Sequence, residues 1–209
     1  MKFTIVTPCL DRHRFLDETI RSVVNQRGDF EIEYIIQDGG SGPEVLEILE
    51  KWKNRIDSGV FEPACRSLTF QYFTEPDSGM YDAINKGFAQ GTGELLAWIN
   101  SDDSYFPSAF AAVHQAMTQH EDVDWLIGKA AKYNAPGNVT YVAGHPNCYS
   151  RKFINLGYYR NELFNFSCDS AKAFQETSLV CTSICLTLEG RPSDSLSRVS
   201  MTSLRLSKG

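Results

Sequence analysis

Short apolar runs alternate with segments of helical periodicity along the first 130 residues of the chain. Five runs have the length and the β-branched or aromatic content of buried strands. They are residues 2–7, 31–37, 68–73, 95–99 and 125–127. The helical patterns are residues 14–26, a segment opened by Pro43 at the first helical position, residues 80–88 and residues 106–117. This alternation predicts an α/β fold with a mostly parallel, Rossmann-like central sheet flanked by helices. The run at 95–99 is apolar throughout, which predicts a central strand.

The pattern changes after residue 130. Residues 129–141 predict hairpin-like strands around a turn at 134–138. From Ser167 onward the chain has ten serines and one aromatic residue, Phe174, whereas the preceding 166 residues hold the other 24 aromatic residues. Such a stretch has little apolar surface to offset the entropy lost on ordering. We therefore divide the chain into residues 1–130, residues 131–166 and an atypical Ser-rich tail at 167–209.

Composition excludes several classes of function. The formal net charge is −6 and no block of Lys or Arg stands out, so no nucleic-acid-binding surface is expected. The six cysteines lack paired metal-ligand spacing, which favours reduced thiols. No apolar stretch approaches the roughly 20 residues that cross a bilayer, and the opening apolar run is too short for a signal peptide. We expect a cytoplasmic protein; peripheral attachment to the inner membrane face stays open.

Three polar clusters each follow a predicted strand directly. They are Asp38 with two glycines, Glu75 with Asp77, and the run from Asn100 to Asp103. Ligands of open α/β sheets bind outside the carboxyl ends of the strands, so these clusters are expected to converge. Taken singly, each is more often an ordinary turn aspartate or a helix cap, and the shared position after successive strands is what favours a ligand site.

The last cluster contains two adjacent carboxylates, Asp102 and Asp103. Adjacent carboxylates repel each other and need a counter-charge, which Mg²⁺ or Mn²⁺ supplies while also binding substrate phosphates. Such an ion would let an acidic protein accept a diphosphate. The alternative is that Asp103 or Ser104 caps the following helix, and both roles can hold together.

Four motifs, in this order and spacing, resemble family 2 glycosyltransferases of the GT-A fold. They are Thr4-Ile5-Val6-Thr7-Pro8, Gln37-Asp38-Gly39-Gly40-Ser41, the run from Glu75 to Gly87, and Trp98-Ile99-Asn100-Ser101-Asp102-Asp103. The match covers about residues 1–130, and the third motif is similar to bacterial members that assemble surface polysaccharides. The resemblance implies that residues 1–130 bind a nucleotide-sugar donor and that residues 131–166 form part of the acceptor side.

The resemblance also implies roles for single residues. Thr7 and Pro8 would line the nucleotide pocket through their backbone, and Asp38 would accept a hydrogen bond from the ring N–H of uracil. Asp102 and Asp103 would occupy the DXD position of the family, contacting ribose and holding Mn²⁺ or Mg²⁺.

Other residues of these motifs are expected around the same donor site. Because Asn100 replaces the first acidic residue of the DXD position, the metal is expected to depend mainly on Asp103. Asp82 and Lys86 are four residues apart on one helix, which fits a structural pair and a sugar contact equally. The remaining substrate-binding candidates are Gly39, Glu75, Asp77 and Tyr81.

The implied reaction transfers a sugar from a nucleotide diphosphate, with a UDP-sugar as the expected donor, to a hydroxyl of a saccharide or lipid-linked saccharide. The metal would stabilise the departing diphosphate, and a carboxylate acting as general base would give inversion. Glu176, in the pair Gln175-Glu176, is the candidate base, although the aromatic and basic context expected around it is missing.

Two alternatives remain at this point, an inactive product and a nucleotidyltransferase, whereas a dinucleotide oxidoreductase is disfavoured. Residues from about 167 onward would arise from a reading-frame change or a truncation, which leaves a donor-binding but transfer-inactive product. A nucleotidyltransferase would need a basic, Gly-rich loop after the first strand, where this chain has Pro8-Cys9-Leu10-Asp11-Arg12. A dinucleotide oxidoreductase would need a G-x-G-x-x-G motif at the same place.

Overall fold

The structure is a computed structural model and describes residues 1–120, 131–134, 138–142 and 177–180. The described elements follow one another in the predicted alternation. In chain order they are β1 (Lys2–Cys9), α1 (Leu16–Val24), β2 (Gly28–Asp38), α2 (Pro43–Asp57), β3 (Cys65–Thr74), α3 (Met80–Gln90), β4 (Leu95–Trp98), α4 (Ala109–Gln119), β5 (Ala131–Asn134), β6 (Val139–Val142) and β7 (Thr177–Val180).

The first four strands form one parallel sheet in the order β3-β2-β1-β4. In this sheet Ile5 of β1 pairs with Tyr34 of β2 on one side and with Ala97 of β4 on the other. The predicted α/β class, with a parallel central sheet flanked by helices, is confirmed. In the described part of the chain β4 pairs with β1 on one side, and the residues of the next predicted strand are not described, so the central position of residues 95–99 stays a prediction. Leu95 and Ala97, on one face of β4, have no exposed surface.

Helices cover both faces of this sheet. On one face, Phe3 of β1 stacks on Phe110 of α4 at 4.9 Å between ring centroids and meets Phe30 of β2 edge-on at 5.1 Å. On the other face, α3 lies so close to β1 that a Cβ atom on Gly87 would come within 2.5 Å of Val6 Cγ1. Ile20, Val23 and Val24 of the predicted helical pattern are buried in α1, and each fully buried aliphatic side chain contributes roughly 1.5–3 kcal/mol.

Element boundaries differ from the predicted ones at proline positions. β1 continues through Pro8, whereas its pairing with β4 ends at Val6 and Trp98. The missing N–H of proline therefore interrupts no described ladder with β4. α4 begins at Ala109 rather than at residue 106, because Phe106 and Pro107 form a turn in which Phe106 O accepts a hydrogen bond from Ala109 N at 3.0 Å.

The described residues after 130 form a second, antiparallel sheet with the order β6-β5-β7. The predicted hairpin is confirmed in β5 and β6, and β7 lies within the segment assigned to the Ser-rich tail. The predicted strand at 125–127 and the rest of 143–209 lie outside the described residues, so the division into 1–130, 131–166 and 167–209 stays a prediction. Among the residues that the structure describes, no helix combines the length and apolar character needed to cross a membrane.

A buried carboxylate fastens the loop that leads into β4. Glu33 of β2 accepts hydrogen bonds from Thr4 Oγ1 at 2.5 Å, from Thr92 N at 2.6 Å and from Lys2 Nζ at 3.2 Å. Burial alone would raise the pKa of Glu33, but these donors outweigh it and the pKa lies below its ordinary value. The loop between α3 and β4 is thereby held against β1, which fixes where β4 starts.

Gly93 in this loop has no room for a side chain. A Cβ atom at residue 93 would lie 2.7 Å from Thr4 N and 2.8 Å from Lys2 O, both of which are backbone atoms of β1. We expect Gly93→Ala to lower the free energy of unfolding by about 2 kcal/mol, because the loop has to move off β1. Urea unfolding measures this change.

Gly42→Ala is the matched control for that substitution. Gly42 has a φ of −70°, and a Cβ atom there would meet only the flexible end of Glu44 at 3.2 Å. Its cost is expected below about 1 kcal/mol. Equal losses in the two variants would contradict the close contact between the loop and β1.

Candidate functional site

The carboxyl ends of the four parallel strands meet at one edge of the sheet. Asp38 at the end of β2 pairs in register with Cys9 of β1 and with Thr74 of β3. The segment after β4 is attached to the same edge, because Ile99 N donates to Val6 O at 2.9 Å. All three polar clusters therefore follow strands that end at this edge.

Asp38 lies inside the β2–α2 loop and has no exposed surface. Its Oδ2 accepts hydrogen bonds from Gly40 N at 3.2 Å and Ser41 N at 3.0 Å, and its Oδ1 accepts one from Ser41 Oγ. This is the local hydrogen bonding that a turn aspartate makes. The carboxylate orders its own loop in this structure, and its predicted contact with uracil stays a prediction.

The β1–α1 loop is tied to the β2–α2 loop. Asp11 N donates to Ser41 Oγ at 2.8 Å, and Asp11 Oδ1 accepts from Gly42 N at 3.1 Å. Gly39 N also donates to Cys9 O at 2.8 Å. Asp11 has a φ of +50°, a left-handed conformation that aspartate tolerates better than most residues and that these bonds hold in place. The two loops form one continuous floor.

Thr7 and Pro8 lie beneath this floor. Both are buried, and Thr7 Oγ1 is hydrogen-bonded to the hydroxyl of Tyr34 at 2.9 Å. The Thr7 side chain therefore belongs to the sheet interior, which leaves only its backbone for a ligand. Backbone contacts are what the sequence predicts for these two residues, and that role stays a prediction.

The β3–α3 segment carries several polar candidates. Lys86 Nζ donates to Pro76 O at 2.8 Å and lies 3.6 Å from carboxylate oxygens of both Glu75 and Asp82. Asp82 also accepts from Ser78 N at 2.9 Å. Lys86 and Asp82 thus form a structural pair in this structure, one of the two roles left open by their spacing. Tyr81 is half-buried on the first turn of α3.

The run after β4 forms a tight turn around Asp103. Asp103 N donates to Asn100 O at 3.1 Å, and Asn100 Nδ2 donates to Asp103 Oδ2 at 3.1 Å. Thr19 of α1 anchors the turn by donating to Asp103 O at 2.7 Å. Asp103 and Ser104 precede the start of α4 at Ala109, where no side chain caps the helix. The alternative that either residue caps this helix is wrong, because a turn at Phe106 delays the helix.

The surroundings of Asp103 favour a bound cation. Burial, followed by the charge of Asp102, raises the pKa of Asp103 to about 7. Asn100 Oδ1 is the one buried side-chain oxygen or nitrogen among the described residues that has no hydrogen-bond partner. A bound cation would stabilise the ionised form of the Asp103 carboxylate and would give Asn100 Oδ1 a positive partner.

The side chains at the turn after β4 have the chemistry that binds Mg²⁺ or Mn²⁺. Among the described residues, no group of three or more His, Cys, Asp or Glu side chains is arranged to hold a metal ion. Asp102, Asp103 and Asn100 instead offer two carboxylates and one amide oxygen, the hard ligands that these ions prefer. Mg²⁺ in particular is bound through one or two carboxylates, with water and substrate phosphate completing its shell.

Cys9 links this turn to the loop of Asp38. Burial, together with the charge of Asp38, raises the pKa of the Cys9 thiol to about 11, although hydrogen bonds with the backbone of Arg12 and with Ser41 and Ser101 lower it. One thiol therefore contacts both loops. The Asp38 loop and the turn that carries Asp103 are direct neighbours at the end of β1.

Sequence reasoning missed several residues at this edge. Leu10 is 54% exposed at the end of β1, and Ser41 and Thr19 hold the two loops by hydrogen bonds. Residue type gave no signal for them, because serine and threonine serve many structural roles and one leucine after a strand is common. Glu176, the candidate base, lies outside the described residues.

Comparisons with known proteins agree with the motifs at this edge. The family model for glycosyl transferase family 2 matches residues 4–181. An uncharacterized glycosyltransferase of Mycobacterium tuberculosis is 37% identical over 115 residues, which are 54% of this chain and 38% of that protein. A PGL/p-HBAD biosynthesis glycosyltransferase of Mycobacterium bovis is 31% identical over 128 residues, 60% of this chain and 45% of that protein.

One solved structure to which the chain is similar is S. aureus TarS 1-349 in complex with UDP-GlcNAc. It has 22% identity and a TM-score of 0.49, over 61% of this chain and 34% of that one. The chain spans less than half the length of the two curated relatives. Because the family model covers most of the sequence, the chain belongs to glycosyl transferase family 2.

Proposed function

We propose that the protein transfers a sugar from a nucleotide diphosphate donor, a UDP-sugar, to an acceptor hydroxyl with the help of Mn²⁺ or Mg²⁺. The observation that carries this proposal is the turn after β4. There the raised pKa of buried Asp103, its neighbour Asp102 and the unpartnered Asn100 Oδ1 together favour a bound cation. Membership of glycosyl transferase family 2 supplies the reaction class.

The donor lies along the carboxyl edge of the sheet in this proposal. Asp103, with Asp102 and Asn100, binds the cation at the diphosphate end. The backbone of Thr7 and Pro8 and the ordered loop of Asp38 form the floor for the nucleoside. Two hydrogen bonds that join the β1–α1 loop to the β2–α2 loop support this arrangement. The Cys9 thiol, which contacts Ser41 and Ser101, links the β2–α2 loop to the turn after β4.

A divalent ion bound at this turn would offset the negative charge that builds on the departing diphosphate. Lys86 brings a further positive charge to the β3–α3 segment, where Glu75 and Asp82 hold its ammonium. With Tyr81, these residues are the proposed surroundings of the sugar. The acceptor hydroxyl loses its proton to a carboxylate on the opposite side of the sugar, for which Glu176 is the candidate, and transfer proceeds with inversion.

The proposed acceptor is a saccharide or lipid-linked saccharide, in the synthesis of a polysaccharide or glycoconjugate. The M. bovis relative is named for PGL/p-HBAD biosynthesis, which is in keeping with a glycoconjugate product. A cytoplasmic location, with contact to the inner membrane face, belongs to the same proposal.

Calorimetric titration of UDP into the full chain tests the donor site. We expect UDP to bind at least about ten-fold more tightly with Mn²⁺ than with EDTA, because an ion held by Asp102 and Asp103 would offset the negative charge of the diphosphate. Circular dichroism on the same sample verifies that the protein is folded. Equal affinity with and without the ion on folded protein would rule out the proposed role of the turn after β4.

A further inference from the structure

The backbone between β3 and α3 is held by side chains rather than by other backbone groups. Among the residues that the structure describes, Pro76, Asp77 and Ser78 make no hydrogen bond from one backbone group to another. Pro76 O instead accepts a hydrogen bond from Lys86 Nζ at 2.8 Å, and Ser78 N donates to Asp82 Oδ2 at 2.9 Å. Both side chains belong to α3, so this helix holds the segment that precedes it.

Lys86 is the centre of this arrangement. Its ammonium lies 3.6 Å from Glu75 Oε1 and 3.6 Å from Asp82 Oδ2, in addition to its hydrogen bond with Pro76 O. Glu75 is also held by β2, because Gln37 Nε2 donates to the same Oε1 at 3.3 Å. One cation therefore joins the start of the segment to the helix that follows it.

The backbone beside Lys86 is fixed on the sheet. Gly87 packs on β1 so closely that a Cβ atom there would lie 2.5 Å from Val6 Cγ1, and Val6 has no exposed surface. Close-packed interiors of this kind leave little room for displacement. The Lys86 side chain therefore extends from a rigid part of α3 and links the segment after β3 to the core of the sheet.

The same segment borders the floor of the donor site. The Asp77 carboxylate packs on the backbone of Gly39, since a Cβ atom on Gly39 would lie 2.7 Å from Asp77 Oδ2. The other oxygen, Oδ1, accepts a hydrogen bond from Gly79 N at 2.8 Å. Glu75 N also donates to Asp38 O at 2.9 Å. The position of this segment therefore decides the shape of the site beside the β2–α2 loop.

We propose that Lys86 is a positioning residue for the nucleotide donor, whose ammonium holds residues 75–79 in the arrangement to which the donor binds. This inference rests on the proposed function. Lys86 acts on the nucleotide through the segment, because its ammonium already has a carbonyl and two carboxylates as partners. A segment that is ordered before binding loses less conformational freedom on binding, so the ammonium raises the affinity for the donor.

The test titrates UDP with Mn²⁺ into the full chain and into variants at residue 86. Lys86→Met removes the charge but keeps an unbranched side chain. We expect it to weaken UDP binding by about five-fold to ten-fold, since a charge-assisted hydrogen bond and two partly exposed ionic contacts are lost. Lys86→Arg is expected to stay within about two-fold of the unchanged chain, because a guanidinium donates to the same carbonyl and carboxylates.

Lys53→Met is the matched control. Lys53 forms an ion pair with Asp57, four residues further along α2, at 2.7 Å, and its side chain is 39% exposed against 32% for Lys86. This pair lies near the end of α2, away from the carboxyl edge of the sheet. We expect Lys53→Met to bind UDP as the unchanged chain does, because the pair holds no loop of the site.

Amide hydrogen exchange separates positioning from direct contact with the nucleotide. In Lys86→Met without ligand, the amides of Ser78 and Gly79 are expected to exchange faster than in the unchanged chain, because the segment is no longer fastened to α3. The amides of Gly40 and Ser41, which donate to the carboxylate within the β2–α2 loop, are expected to keep their rates. Unchanged rates at these two residues also verify that the variant is folded.

The inference is overturned if Lys86→Met binds UDP as tightly as Lys53→Met, or if its affinity falls while the exchange of Ser78 and Gly79 stays the same. The second result would mean that Lys86 contacts the nucleotide itself. Both results leave the proposed function in place, since UDP still binds with Mn²⁺. Absence of Mn²⁺-dependent binding in the unchanged chain would instead reject the proposed function.

Discussion

Replacing Asp103 with alanine is expected to weaken UDP binding in the presence of Mn²⁺ by about 100-fold or more. The side chain is 6% exposed, accepts a hydrogen bond from Asn100, and is the carboxylate on which the proposed cation mainly depends. Even residues that only orient a metal ligand lower metal affinity by about 10–100-fold when they are changed. Calorimetric titration with Mn²⁺ and with EDTA measures the effect.

UDP titration in EDTA separates the loss of the ion from any other effect of the substitution. In EDTA, Asp103→Ala and the unchanged chain should bind UDP with similar weak affinity, because only the ion-dependent contacts are lost. Asp29→Ala removes the same charge from the opposite end of β2, where the side chain is 78% exposed, and should retain the full response to Mn²⁺. A normal response to Mn²⁺ in Asp103→Ala would show that the ion binds elsewhere.

The order of elements in the central sheet could be predicted because each strand and helix carries its own periodicity. The helix at Pro43 begins at that residue as predicted, since proline supplies the φ angle and lacks an N–H that the first turn would leave free. Positions across the sheet were harder to predict. Leu95 and Ala97 are buried on one face of β4, and an apolar sequence does not distinguish such burial from a position between two other strands.

The chemistry of the candidate site was predictable to the level of clusters. Polar residues that follow parallel strands have to share one edge, so the grouping of Asp38, Asp77 and Asp103 follows from topology. The burial and the orientation of these side chains do not follow from the topology. The burial of Asp38 and the orientation of Asp77 depend on contacts with Ser41 and Gly39, which are residue types that serve many structural roles.

The carboxylates at the two ends of the proposed donor site have different surroundings. At the β2 end, the Asp38 carboxylate accepts hydrogen bonds from three donors of its own loop. At the β4 end, Asp103 has one side-chain donor, from Asn100, and faces the repulsion of Asp102. The loop of Asp38 is therefore complete without a ligand, whereas the turn of Asp103 is stabilised by a cation. This asymmetry has a measurable consequence for stability.

Asp103→Asn is expected to stabilise the metal-free protein by an amount that grows with pH. Burial, followed by the charge of Asp102, raises the pKa of Asp103 from 3.8 to about 7 in the folded state. A group whose pKa is higher when folded contributes stability in its protonated form, and that stability is lost as pH rises through this window. Asparagine cannot ionise, so at pH 8 the variant should gain up to about 4 kcal/mol over the unchanged chain, at about 1.4 kcal/mol per pKa unit.

Urea unfolding in EDTA at pH 5 and at pH 8 measures this difference, with Asp29→Asn as the exposed control. The gain from Asp103→Asn should be smaller at pH 5, where much of Asp103 is still protonated in the folded protein. Adding Mn²⁺ at pH 8 should stabilise the unchanged chain and leave Asp103→Asn nearly unaffected, because the ion takes the place of the proton. A gain that is the same at both pH values would mean that the buried carboxylate is not ionised at this turn, and the cation would lose its electrostatic reason to bind there.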